Sequence, residues 1–185
     1  MSYTIKIKCG NLLEEKSATF IVNASNTRMI LGSGVSMAFK RHCGIELQTL
    51  MYQELERKNE PLEQGDVLCT TTANATNFEY ALHVAVMNYN KNVPTKEQKP
   101  TLQTIENSLH NIEEYLKYYT NEHNVAIKLV LPLMGCGVGG LDKNGVIKSY
   151  FDFFSRQVDF NCKVVIYGFS LEDFTLLEKF YTNEG

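Results

Sequence analysis

Several features that place a chain quickly are missing from these 185 residues. Positive charge is not in excess: 18 Lys and Arg against 21 Asp and Glu leave a formal net charge of -3. That balance argues against nucleic acid as the main partner, which a basic footprint would mark. No apolar run approaches the length of a membrane span, so no membrane partner is expected. The first residues, Met1-Ser-Tyr-Thr-Ile-Lys-Ile-Lys, alternate like a strand where a secretory leader would carry a continuous apolar segment. The five cysteines, Cys9, Cys43, Cys69, Cys136 and Cys162, have no Cys-x-x-Cys spacing. They read as reduced thiols of a cytoplasmic protein. The four histidines, His42, His83, His110 and His123, are scattered, so neither a metal site nor a cofactor is expected. No linker, repeat or low-complexity stretch interrupts the chain. With 44% hydrophobic and 21% charged residues, it reads as a single globular domain over residues 1–185.

What is present is an alternation of strand and helix patterns. Residues 3–9 alternate as a strand with one polar face, suited to a sheet edge. Strands are also expected at 18–22, 66–72, 80–87, 125–131 and 162–168. The run from Tyr80 to Met87 is nearly all apolar and predicts a central strand covered on both faces. Helices are expected at 34–42, 45–58, 142–158 and 171–181, the last capped by Ser170. The longest starts at the N-cap Thr101 and carries its apolar stripe on Leu102, Ile105, Leu109, Ile112, Leu116 and Tyr119. The order predicts an α/β protein, a three-layer α/β/α sandwich with a mixed, mostly parallel central sheet and one hairpin near residues 66–87.

Two glycine loops stand out. Phe20-Ile-Val22 reads as the end of a buried strand; Asn23 and Asn26 follow, then Gly32-Ser-Gly34 and a helical pattern with Val35, Ala38 and Phe39 on one face. The second loop, Gly135-Cys-Gly-Val-Gly-Gly140, also links an apolar strand to a helix. Glycines allow close approach to the backbone, and unpaired N–H groups at a helix start favour an anion. In an open α/β sheet two such loops share the edge where ligands bind, and they would clamp an extended ligand with two phosphates. Neither loop has Gly-x-Gly-x-x-Gly followed by an acidic residue, nor Gly-x-x-x-x-Gly-Lys-Ser/Thr, so a dinucleotide fold and a P-loop are not supported.

Ile21-Val-Asn-Ala-Ser-Asn26 with Gly32-Ser-Gly-Val35 resembles the macro-domain signature, in which Val-Asn-Ala-Ala-Asn precedes a glycine-rich loop. Cys9-Gly-Asn-Leu12 resembles that family's turn after the first strand, and Leu131-Pro-Leu-Met-Gly-Cys-Gly-Val-Gly-Gly-Leu141 its second phosphate loop. The resemblance spans nearly the whole chain. It implies binding of ADP-ribose, or of a protein or metabolite that carries it. By that pattern Asn11 reads the adenine amine, Leu12 offers its backbone N–H to the base, and Phe169 packs against the ring. Asn23 and Asn26 border the distal ribose. Gly32, Ser33, Gly34, Val35 and Ser36, together with Gly135, Cys136, Gly137, Val138, Gly139 and Gly140, wrap the diphosphate.

The chain departs from the family's hydrolase templates. One branch has an Asp after the first glycine loop, where this chain has Ser36, and often a His where it has Lys40. The branch that removes ADP-ribose from DNA uses a lysine near the loop after the central strand; Asn92-Val-Pro-Thr-Lys96 resembles that motif locally. One member type adds an Asp in the second loop, where Val138 and Gly139 stand. Two functions remain open. One is hydrolysis at the distal ribose, of ADP-ribose-1''-phosphate or an ester-linked ADP-ribose, with Asn26 as the candidate catalytic residue. The other is a non-catalytic ADP-ribose reader. His83 is expected to be a hydrogen-bonded core residue, Cys136 a small packing residue, and a His42–Cys43 dyad is disfavoured because neighbours on a helix point apart.

Overall fold

The computed structural model describes residues 1–32 and 34–183; the expectation for Ser33 falls outside them. Six strands, β1 Tyr3–Cys9, β2 Ala18–Asn26, β3 Val67–Thr71, β4 Phe78–Met87, β5 Ile127–Pro132 and β6 Cys162–Gly168, form one sheet in the order β1-β6-β5-β2-β4-β3. Every neighbouring pair is parallel except the hairpin β3–β4. Five helices accompany them: α1 Val35–Cys43, α2 Glu46–Lys58, α3 Leu102–His123, α4 Lys143–Phe154 and α5 Leu171–Asn183.

Two apolar layers sandwich the sheet, as the alternation of patterns required. On one face α1 and α2 bury Phe39, Cys43, Leu47 and Met51 against Ile21, Ala81, Ala85 and Val130. On the other, α3, α4 and α5 bury Ile105, Leu109, Ile112, Leu116, Val146, Ile147 and Leu177 against Val22, Leu82, Val84, Leu129 and Val164. The period of two in the strands sorts alternate residues between these cores. In β4, Leu82, Val84 and Val86 face one and Ala81 and Ala85 the other. That strand is covered on both faces but lies second from the edge.

Local chemistry starts the helices. Thr101 caps α3 in a reciprocal box with Thr104, Asp142 accepts from the Gly145 N–H to start α4, and Ser170 accepts from Asp173 N to start α5. The largest departure from expectation is in β2. It does not stop at Val22 but continues through Asn26, paired residue by residue with β4 as far as Ser25↔Ala85. A bulge then separates Ser25 from Asn26. Asn23 is tolerated inside a central strand because its amide is fully hydrogen-bonded there. Helix α4 ends at Phe154, four residues before the expected end, and Gln157 instead makes a bridge to Ser2.

Candidate functional site

The parallel strands all end on one edge of the sheet. From β1 to β4 that edge carries, in spatial order, Asn11, Phe169, the second glycine loop, the first glycine loop, and the loop of residues 88–100. The chain switches direction between β5 and β2, the position where open α/β sheets form a crevice. The β2–β5 ladder registers only at Phe20↔Leu129 and Ile21↔Val130, although β2 runs on to Asn26. The two glycine loops therefore face each other across a parting of the strands. Three strand spacings separate β1 from β2, roughly 14 Å, so a ligand lying along this edge must be extended.

Helix α1 has an open start. Its N-cap is Gly34, with φ of +59° and no side-chain hydrogen bond to the first turn. The other helices that begin on this edge, α3, α4 and α5, are each capped by their own side chain. Among the described residues the first N–H groups of α1 have no acceptor, and the positive end of the dipole lies behind them. A hydrogen-bond relay underneath holds this helix start. Ser36 Oγ lies 3.2 Å from Asn23 Oδ1, and Asn23 Nδ2 lies 3.0 Å from His83 Nδ1. His83 Nε2 lies 2.8 Å from Thr70 Oγ1, whose proton goes to Thr71 O at 2.7 Å. Since Thr70 donates onward, it accepts from His83 Nε2–H, and His83 Nδ1 accepts from Asn23. Burial brings the His83 pKa down to about 3, so the ring stays neutral. His83 is the core residue expected. Asn23 is fully buried with both ends engaged, and it supports α1 from beneath. Ser36, also buried, belongs to the same support.

The second loop is held by packing. Tyr150, fully buried, donates to Pro132 O at 2.6 Å and accepts from Met134 N at 2.9 Å, tying the strand end to the loop. The loop closes on itself through Gly140 N to Gly137 O and Leu141 N to Gly135 O. A β-carbon on Gly139 would stand 2.6 Å from Gly135 O and 2.9 Å from Pro100 Cγ. Among the described residues the N–H groups of Cys136, Gly137, Val138 and Gly139 have no acceptor. Gly137 and Val138 are exposed. Burial pushes the Cys136 thiol up to about 12, which disfavours its thiolate.

At the β1–β6 end, Gly10 N donates to Gly168 O at 2.9 Å, so Asn11 and Phe169 leave the sheet side by side. Phe169 is 82% exposed, an unusual position for a large ring unless something flat covers it. Asn11 Oδ1 accepts from Leu13 N at 3.1 Å. Behind this turn sits buried Glu15, bonded to Lys8 and Lys128 at 2.7 Å and to the Tyr167 hydroxyl at 2.7 Å. Burial pulls its carboxyl up, but the bonds from Lys128, Lys8 and Tyr167 outweigh it and hold the pKa near about 2.

At the β2–β4 end, Asn26 organises its own turn. Its Oδ1 accepts from Arg28 N and Ile30 N, and its Nδ2 donates to Ile30 O at 2.9 Å. One amide hydrogen is left, so Asn26 can orient a group but cannot take a proton. Lys96 sits exposed in a short turn at Thr95–Glu97. Lys99 Nζ lies 3.7 Å from where a β-carbon on Gly140 would stand, beside the second glycine loop. Sequence reading passed over Lys99; the signal available was Pro100 beside it, which packs against Gly135 and Gly139 and delivers the lysine there. A separate concavity of about 380 Å³ lies between the turn at 27–30 and Tyr52, Leu55 and Leu62, and involves neither glycine loop. No described helix is long and apolar enough to cross a membrane.

This arrangement matches known structures over almost the whole chain. A macrodomain of Oceanobacillus iheyensis, solved with ADP, superposes with a TM-score of 0.77 at 21% identity, covering 97% of this chain and 92% of that one. The Trypanosoma brucei macrodomain in complex with ADP-ribose gives 0.69 at 17% identity, over 96% and 68%. The macrodomain of Mycobacterium tuberculosis DarG gives 0.67 at 23% identity, over 90% and 99%. No curated protein matches the chain at a significant level. The family model for the macro domain matches residues 22–150, a span that contains both glycine loops, the His83 relay and Lys99, and the chain therefore belongs to the macro domain family.

Proposed function

We propose that this macro domain binds ADP-ribose, free or attached to a protein or metabolite, laid along the strand-end edge. The base lies against Phe169 beside Asn11 and Leu12. The diphosphate lies between Gly32–Val35 and Gly135–Gly140, and the distal ribose lies beside Asn26. One observation carries the reading: among the described residues, the helix start on this edge without a side-chain cap, that of α1, follows one glycine loop, and the other glycine loop also has backbone N–H groups without an acceptor. An anion at such a helix start gains about 0.3–2 kcal/mol. The solved relatives with ADP and ADP-ribose support the same choice of ligand.

Hydrolysis at the distal ribose is the second reading, and Lys99 beside Gly140 favours it. Ser36 is buried and the Asn26 amide has no basic site to take a proton, so neither activates water. A water held by the ligand's own diphosphate, which takes up its proton, would attack the 1''-phosphorus; the bond from phosphorus to the C1'' oxygen breaks and the ribose leaves, with the Lys99 ammonium stabilising the charge that develops. Calorimetric titration with ADP-ribose, followed by incubation with ADP-ribose-1''-phosphate and assay of released phosphate, tests both readings. Binding with phosphate release, cut roughly tenfold or more by Lys99→Ala, makes it a hydrolase. Binding without release, and without cleavage of an ester-linked ADP-ribose, leaves a reader. Absence of binding sinks the proposal.

A further inference from the structure

We infer that the flank of the sheet formed by β1, β6 and β5, on the side of α1, binds the phosphate backbone of a nucleic-acid strand without reading its sequence. The chain's acidic balance argues against nucleic acid as the main partner, but this face departs from that balance. It lies on the side of the sheet and not on the strand-end edge, so the inference stands apart from the binding reading above.

The period of two in the strands builds the face. Ile5 and Ile7 of β1, Cys162 and Val164 of β6, and Ile127 and Leu129 of β5 pack into the core under α3, α4 and α5. The residues between them, Lys6, Lys8, Lys163 and Lys128, therefore point the other way. On that side α1 and α2 pack over β2 and β3, and the turn at Leu12–Glu14 adds Leu12 and Leu13 to a cluster with Val165 and Tyr167. Thr4, Lys6 and Lys163 are exposed.

Register brings the charges together. Lys163 stands between Thr4 and Lys128, each about 4.8 Å away across the strands. Lys6 and Lys8 follow Thr4 along β1 at steps of about 6.6 Å. Four ammonium groups thus share a patch roughly 10 Å by 13 Å. Among the described residues the carboxylate bonded to them is Glu15, shared by Lys8 and Lys128. Lys6 and Lys163 are in no ion pair among the described residues. Like charges side by side on neighbouring strands repel, so the arrangement costs stability until an anion meets it.

A nucleic-acid strand offers charges in a row, as this face does. Tyr167, the aromatic residue these strands place here, is buried and bonded to Glu15, so it offers no platform for a base. Flat strands, not a helix, present the lysines, so no element enters a groove. Phosphate contact without base readout is what remains.

The test is fluorescence anisotropy of a labelled oligothymidine titrated with the whole chain at several salt concentrations. Binding is expected at roughly 1–100 μM at physiological salt. Log affinity should fall against log salt with a slope of about -2 to -3, for four lysines of which two are shared with Glu15. Lys6→Ala together with Lys163→Ala should weaken binding roughly tenfold or more and reduce the slope by about one to two. Both side chains are exposed, so the urea midpoint should hold. Saturating ADP-ribose should leave the oligonucleotide bound. Absence of binding at low salt overturns the inference, as does a double variant that binds as tightly as the unmodified chain. Displacement by ADP-ribose would put the strand in the cleft and overturn it as well. Binding to vesicles of acidic phospholipid without binding to the oligonucleotide would do the same.

Discussion

Gly32 in the first glycine loop has nothing within 4 Å of where a β-carbon would stand, and Gly34 likewise. In the second loop, Gly135 and Gly139 are closed in by Leu141, Pro100 and each other. In one loop, then, the glycines leave room for something from outside. In the other, Gly135 and Gly139 let the chain pack against itself, while Gly137 has open space and Gly140 meets only Lys99 Nζ. The supports differ in kind as well. The first loop stands on a polar relay, Ser36–Asn23–His83–Thr70, and the second on the Tyr150 hydroxyl and the ring of Pro100. Two similar sequence motifs therefore reach the same rim by different physics. A polar relay is directional and depends on protonation, whereas packing is steric and indifferent to pH.

Substitutions can break this comparison. The largest effect is expected from Gly139→Val, which forces side-chain atoms into Gly135 O and Pro100. Overpacking of this kind costs about 1–3 kcal/mol and sometimes more. Denaturant unfolding should register the loss together with loss of ligand binding, and an unchanged midpoint would mean the loop is looser than described. Gly137→Glu is expected to separate binding from stability. Its site is open, so the midpoint should hold, while a carboxylate in the phosphate path weakens ADP-ribose by roughly a hundredfold or more. Retained affinity would remove the second loop from the diphosphate site.

The most diagnostic effect is in pH. His83 is neutral in the folded chain down to about pH 3, whereas an exposed histidine titrates near 6.5. As pH falls below about 6.5 the unfolded chain takes up a proton that the folded chain refuses, so the native state loses stability. The slope is about 1.4 kcal/mol per pH unit until the ring protonates near the lower value. Urea unfolding of the unmodified chain and of His83→Gln between pH 7 and 4 isolates this contribution, since the carboxylates act in both. The difference between the two should shrink as the medium becomes acidic. A difference independent of pH would show that the relay does not depend on a neutral ring.

The strands at 3–9 and 162–168 and the start of the long helix at Thr101 were legible because each carries a strong local signal: alternation, an apolar run, or a capping hydroxyl. The glycine loops were legible because their glycines follow buried strands. The end of β2 was not, since asparagines in a strand look like a turn until the partners that satisfy them are known. Asn23 and Ser36 read as ligand contacts for the same reason; their engagement with His83 and Ala24 crosses strands and helix. Lys99 was overlooked because nothing local distinguishes it from Lys91 and Lys96; only the seat of Pro100 on the second loop singles it out.

Local chemistry along the chain was enough to determine the α/β class, the two glycine loops and the slight excess of acidic residues. These depend on residue identity and short-range periodicity, which survive without knowledge of neighbours. That Asn23 is buried in a relay with His83, and that Lys99 is seated beside Gly140, were decided only by tertiary structure. Hydrogen-bond capacity is finite: what a polar group can offer a ligand is what remains after the rest of the protein has used it.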